Sequence, residues 1–172
     1  MTVYLTIACL FCAFLFLGIL TLIDLKLRLL PNKQVAGFLT TGIVFHTVTN
    51  FHFIAPHDML IGLLAGASLL LLVRYVANKK YKQDTLGLGD VKLIGAAGVW
   101  LGLDHIFLAI SIGAFAGLVH GLVYAYYLHK KTGKAVSLST FSIPAGPGFI
   151  VGIIVTGLIK FHELPKFLLD FL

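Results

Sequence analysis

The sequence predicts an all-α, polytopic membrane protein, and three observations carry that prediction. The chain has 172 residues, of which 59% are hydrophobic and only 12% charged, a balance far from that of a soluble domain of this length. Its apolar residues gather into about six runs close to the length of roughly 20 residues that a helix needs to cross a hydrocarbon core. No alternating pattern suggests a barrel, and a segment in lipid must satisfy its own backbone N–H and C=O groups, which leaves the helix.

The first run, Val3 to Ile23, lacks the basic start and small-residue cleavage site of a secretory leader. It reads as a retained helix that also directs insertion. Cys9 and Cys12, the only cysteines, lie inside it. Zinc needs about four ligands, so the pair reads as small membrane-buried residues, and neither a metal site nor a disulfide is expected. The second run, Val35 to Phe51, carries His46 near its outer end, where an interfacial place is expected, and leads into the polar turn NFHFIAPHD. Asp58 in that turn can cap the third run, Met59 to Ala77.

The fourth run, Val91 to Leu103, is short and is joined to the fifth, His105 to Leu128, by the tight turn GLDH, with Asp104 as its capping acid. His120 is the only ionisable residue near the middle of a span, and the glycines on either side favour packing between helices. The sixth run is Ile143 to Ile159. Small residues four apart at Gly62/Gly66, Gly113/Gly117, Gly117/Gly121 and Gly148/Gly152 predict close helix contacts, since both members share one face. With no linker and no low-complexity stretch, residues 1–172 read as one domain.

Charge sets the orientation. Of the thirteen Lys and Arg residues, eleven follow the first, third and fifth runs: Lys26, Arg28, Lys33, Arg74, Lys79, Lys80, Lys82, Lys92, Lys130, Lys131 and Lys134. By the positive-inside rule these loops face the cytoplasm and both termini face outward. The net charge of +6 therefore serves topology and contact with anionic lipid. A nucleic-acid surface would need stacking aromatics among the cations, and only Tyr81 approaches that.

Five of the acids, Asp58, Asp84, Asp104, Glu163 and Asp170, fall in loops or the tail. Asp24 and Asp90 do not. Asp24 ends the first run and Asp90 begins the fourth, so both lie at similar depth on the cytoplasmic side, and they can meet if those two helices pack together. A lone Asp at a membrane boundary is commonly an interfacial or capping residue; two at matched depth, one of them flanked by glycines, point further. Carboxylates sharing a site cannot both ionise cheaply, so one keeps a proton while the other acts as base. That is the equipment of an aspartic protease. Helix polarity disfavours charge on Asp24, at a C-terminus, and favours it on Asp90, at an N-terminus, which suggests Asp24 as acid and Asp90 as base.

Gly87 and Gly89 would allow unusual backbone or the close approach of a substrate strand. The stretch has neither form of phosphate-binding glycine loop, and Lys92 reads as a positive-inside residue. A small transporter or channel using the two acids for a cation or proton is the competing class, though the acids cluster on one face instead of forming a path.

Gly87-Leu88-Gly89-Asp90-Val91-Lys92 resembles the G-x-G-D-x-K motif of type IV prepilin peptidases, intramembrane aspartic endopeptidases. Asp24 followed by Leu30-Pro31-Asn32 is similar to that family's first aspartate with its downstream element, and FSIPAGPGFIVG, from Phe141, to the Pro- and Gly-rich segment before its last helices. The resemblance implies Asp24 and Asp90 as the catalytic pair. It implies site-shaping or substrate-binding places for Gly87, Gly89, Lys92, Pro31, Asn32, Pro144, Gly146 and Pro147.

It also implies residence in the plasma (inner) membrane, no cofactor, and cleavage of the basic leader of prepilin or pseudopilin-like substrates of a pilus or secretion system. Long members add an N-terminal domain with paired cysteines and methylate the new terminus. Here the first span begins almost at Met1, which resembles the short, peptidase-only branch. Ala145 stands where longer members have a bulky residue. Presenilin-like proteins share G-x-G-D but pair it with Tyr before the first acid and P-A-L near the end; here these are Ile23 and Pro144-Ala145-Gly146, a poorer match.

Overall fold

The computed structural model describes residues 2–132 and 145–169, and every regular element among them is a helix. In chain order these are α1 (Thr2–Leu27), α2 (Asn32–Val48), α3 (Pro56–Tyr81), α4 (Leu88–Thr132), α5 (Gly146–Lys160) and α6 (Leu164–Leu169). Three of them, α1, α3 and the Leu88–Tyr127 part of α4, are long and apolar enough to cross a membrane, and α5 is a shorter apolar helix. Their outward faces carry exposed Tyr4, Phe11, Phe14, Leu60, Leu64 and Phe115, which lipid would cover.

Local chemistry sets the boundaries. α1 stops where Arg28 turns to φ 54° while its N–H still closes on the Asp24 carbonyl at 2.9 Å. Pro31, at φ −65°, then opens α2, and a proline disfavours helix in the residue before it. Pro56 occupies the first turn of α3, where its missing N–H costs nothing. Lys82, left-handed at φ 54°, ends that helix by returning its N–H to the Asn78 carbonyl.

The expected tight turn between the fourth and fifth runs is present and very short: the chain folds back, so that both Ile94 and Ile106 come against Gly66. It is a one-residue break inside α4 at Gly102, with φ 70° and ψ −179°, a conformation open in practice only to glycine. The break leaves a first arm, residues 88–101, and a second, residues 103–132. Asp104 therefore sits in helix, not in a connecting loop.

α3 lies along α4 and α5 along its second arm, while α1 packs mainly against α2 and α5, and α2 also against α4. Glycine makes these approaches possible. A Cβ on Gly62 would lie 2.5 Å from the Gly98 carbonyl oxygen, and one on Gly98 would lie 2.2 Å from that of Gly62. Likewise a Cβ on Gly152 would lie 2.1 Å from the Ala109 carbonyl oxygen, and one on Gly148 would meet Gly113 and Gly117 backbone at 2.8–2.9 Å. The pairs Gly62/Gly66 and Gly148/Gly152 thus mark true crossings, the second of them against Gly113, whereas a Cβ on Gly117 would meet open space.

Two histidines depart from expectation. The inward stripe of α2 is Val35, Phe38, Gly42, Phe45 and His46. His46 is consequently fully buried against Trp100 and Phe161, not interfacial. His120 is exposed on the second arm: it shares the face of Ala109 and Gly113, but lies about one turn beyond Gly117, where the described start of α5 is met. In the core, Phe38 stacks on Trp100, whose indole N–H donates to the Phe38 carbonyl at 2.9 Å.

Candidate active site

The inward stripe of α1, at intervals of three and four, is Val3, Thr6, Cys9, Ala13, Leu17, Leu20 and Asp24. The acid therefore continues a core-facing row and is delivered to the interior, with 5% of its surface exposed. There the first residue of α5 meets it: the Gly146 N–H donates to Asp24 Oδ2 at 3.1 Å. A Cβ on Gly146 would stand 2.5 Å from that oxygen, so only glycine lets the helix end come so close. Pro147, in the same first turn, removes no needed donor.

Asp90 occupies the first turn of α4 and is 7% exposed. Its carboxyl folds back toward Gly87, while its own N–H donates to the Gly87 carbonyl at 3.2 Å. A Cβ on Gly87 would lie 3.0 Å from Asp90 Oδ2. Gly89 answers a different neighbour, since its Cβ would lie 2.8 Å from that of Leu30. Neither glycine has positive φ; crowding, not backbone freedom, requires them.

The other predicted residues follow from this contact. Pro31 caps α2, and Asn32 Oδ1 accepts a hydrogen bond of 3.0 Å from Lys92 Nζ. Leu30-Pro31-Asn32 and Gly87 to Lys92 are thus interlocked by one steric and one polar contact. Lys92 has a structural partner beyond its topological role. Pro144 lies outside the described residues.

Asp24 and Asp90 are the only buried acids among the described residues. The expected direct packing of the first and fourth runs is not the main contact: α1 and α4 are not principal packing partners, and α2 and α5 each pack against both. Leu30 against Gly89 and Asn32 on Lys92 tie the segment after Asp24 to the one that holds Asp90. Arg28, one turn beyond Asp24, adds its charge to that carboxyl's surroundings.

Sequence reasoning missed a second group. Arg74 and Asn78, on α3, bind the loop before Gly87 through Asp84, Thr85 and the Leu86 carbonyl. Their spacing of four residues at a helix end, followed by a short loop holding one acid, Asp84, was the available signal.

A family model described as the type IV leader peptidase family matches residues 9–122. Among curated proteins, a prepilin leader peptidase/N-methyltransferase of Pectobacterium carotovorum subsp. carotovorum is 30% identical over 142 residues, covering 83% of this chain and 49% of the relative. One of Escherichia coli (strain K12) is 32% identical over 123 residues, 72% of this chain and 53% of the relative. One of Neisseria gonorrhoeae is 31% identical over 130 residues, 74% and 45%. The chain thus spans about half the length of the curated relatives it matches. No solved structure matches it.

Proposed function

The chain belongs to the type IV leader peptidase family, and from that premise we propose that it is an intramembrane aspartic endopeptidase in which Asp24 and Asp90 form the catalytic pair. The supporting observation is that the only two buried acids among the described residues stand in segments tied together through Leu30–Gly89 and Asn32–Lys92, with the Gly146 N–H on the Asp24 carboxyl and Gly87 against that of Asp90. Burying carboxyls in a membrane protein is costly unless they have partners and a task.

In the proposed reaction the ionised carboxylate takes a proton from water as the oxygen attacks the scissile carbonyl carbon. The protonated partner gives its proton to the carbonyl oxygen. The tetrahedral intermediate then collapses: the C–N bond breaks, the nitrogen leaves with a proton from the first acid, and the hydroxyl returns one to the second. Water is the only co-reactant.

The substrate class follows from the premise: a prepilin or pseudopilin-like chain, cut between its short basic leader and the apolar helix that follows. The site end of the bundle carries Lys26, Arg28, Lys33, Lys79, Lys80, Lys82 and Lys92, which supports a cytoplasmic orientation. In this reading α1, α2, α3, the two arms of α4 and α5 make six crossings of the plasma (inner) membrane, with both termini outside. Residues 1–172 act as one peptidase domain. Gly87, Gly89, Pro31, Asn32, Lys92, Gly146 and Pro147 shape the site, and Pro144 is assigned there from its motif.

The relatives' names include N-methyltransferase; the proposal covers proteolysis alone. Cys9 and Cys12 are free thiols within α1 and supply none of the paired cysteines of the long branch.

The test is to incubate purified full-length protein with a prepilin-like substrate and compare Asp24→Asn and Asp90→Asn. Cleavage should fall to background in both, with thermal stability kept. Retained cleavage in either variant would overturn the pair, and loss of cation uptake without any cleavage would favour a transporter.

A further inference from the structure

Arg74 and Asn78 stand one turn apart near the end of α3 and grip the segment that leads into α4. Arg74 Nη2 donates to Asp84 Oδ1 at 2.7 Å, and Nη1 donates to the Leu86 carbonyl. Asn78 Nδ2 donates to the same Asp84 oxygen at 3.0 Å, while its Oδ1 accepts the N–H and the hydroxyl of Thr85, each at 2.9 Å. The Asp84 side chain is 79% exposed but that of Arg74 only 19%. The ion pair alone, with its acid in water, contributes little. The contact with the Leu86 carbonyl leads to the site.

That carbonyl and the Gly87 N–H belong to one planar trans peptide, whose oxygen and hydrogen point in opposite directions. Arg74 holds the oxygen, and Asp90 lies against the Gly87 side of the peptide, its Oδ2 3.0 Å from where a Gly87 Cβ would stand and its N–H on the Gly87 carbonyl at 3.2 Å. A cation on the oxygen polarises the amide and strengthens its N–H as a donor. The forked guanidinium suits the task, because it reaches Asp84 and Leu86 together, which a lysine cannot do in the same geometry.

We infer that Arg74 is a positioning residue for Asp90, acting through the Leu86–Gly87 peptide and not by touching substrate. The inference rests on the peptidase reading of Asp90. It assigns α3, which carries neither acid, a direct part in holding the reactive geometry. Asn78 and Thr85 restrain the same segment two residues earlier and keep the peptide from turning over.

The test compares wild type with Arg74→Gln, Arg74→Lys and Asp84→Asn in the full-length protein, using the prepilin-like substrate. Arg74→Gln should lower kcat about tenfold, the scale of one hydrogen bond to a charged group, at nearly unchanged KM. It should also move the acidic limb of the pH–rate profile to higher pH, since a carboxylate deprived of a donor holds its proton longer. Arg74→Lys should recover part of the loss. Asp84→Asn, which keeps the acceptor oxygen, should stay close to wild type.

Wild-type kcat and pH profile in Arg74→Gln would overturn the inference, as would equal losses in Arg74→Gln and Asp84→Asn. Hydrogen exchange at the Gly87 amide separates this from failure of the peptidase reading. If wild type cleaves no prepilin-like substrate, that reading falls, yet Gly87 exchange should still quicken about tenfold in Arg74→Gln with α1 and α5 unchanged. Unaltered exchange at Gly87 would sink the role of Arg74 in either case.

Discussion

At position 146 a single carbon atom decides how Asp24 is held. A Cβ there would stand 2.5 Å from Asp24 Oδ2, and because the carboxyl is the free end of a side chain, the acid can yield by rotating away from its N–H donor. Gly146→Ala should therefore fold with almost unchanged thermal stability and lose kcat by about ten- to a hundredfold, the range for a hydrogen bond to a charged group. Intact cleavage by this variant would show that the Gly146 amide does not orient Asp24. Gly89→Ala should fail differently, because its Cβ meets the Cβ of Leu30, an atom tied to the backbone of the α1–α2 turn. At this scale the sequence singles out residues without showing their contacts. Gly87 and Gly89 read as allowing unusual backbone or the close approach of a substrate strand; their neighbours in the structure, Asp90 and Leu30, are contacts that no single motif reveals. Arg74 stayed hidden because a cation at a cytoplasmic helix end already has a sufficient explanation in topology.

Between elements, the glycine crossings predict where the bundle resists change. At Gly98 an added Cβ would fall 2.2 Å from the Gly62 carbonyl oxygen, with backbone on both sides and nothing free to rotate. Gly98→Ala should destabilise the fold by about 1–3 kcal/mol, as overpacking of a tight interior does. Gly18→Ala, with open space around its Cβ position, should be neutral. Equal melting temperatures for the two variants would contradict the crossing. The spacing of four at Gly62/Gly66 and Gly148/Gly152 makes these faces legible in the sequence alone. Their partners are not, because spacing within a helix carries no information about the helix opposite. The turn at Gly102 is legible in composition, but not that a single residue makes it, with helix continued on each side.

Across the whole molecule, the expected helical membrane bundle is present, and the motifs from distant parts of the chain converge at one end. The route of convergence was beyond the sequence. Equal depth for Asp24 and Asp90 followed from counting runs, but their approach depends on α2 and α5 lying between α1 and α4, a matter of lateral order that hydropathy cannot encode.

The lengths of these helices carry a further consequence. At 1.5 Å per residue, α2 and α5, of 17 and 15 residues, are about 26 and 23 Å long, and the first arm of α4 is about 21 Å. All three fall short of a bilayer interior about 30 Å thick, while α1 and α3, of 26 residues each, exceed it. The walls nearest the acids are its shortest parts. If each of them crosses the bilayer as proposed, lipid beside them would thin into a dimple and bring water down to carboxyls that a bilayer of full thickness would keep dry. Mismatch costs a fraction of a kcal/mol per Å, so lengthening the acyl chains of the host vesicles by a few carbons should slow cleavage roughly several-fold on that scale. Rates indifferent to acyl length would mean that the dimple plays no part in hydration of the site. On this view the water supply of the proposed site is set in part by the thickness of the membrane around it.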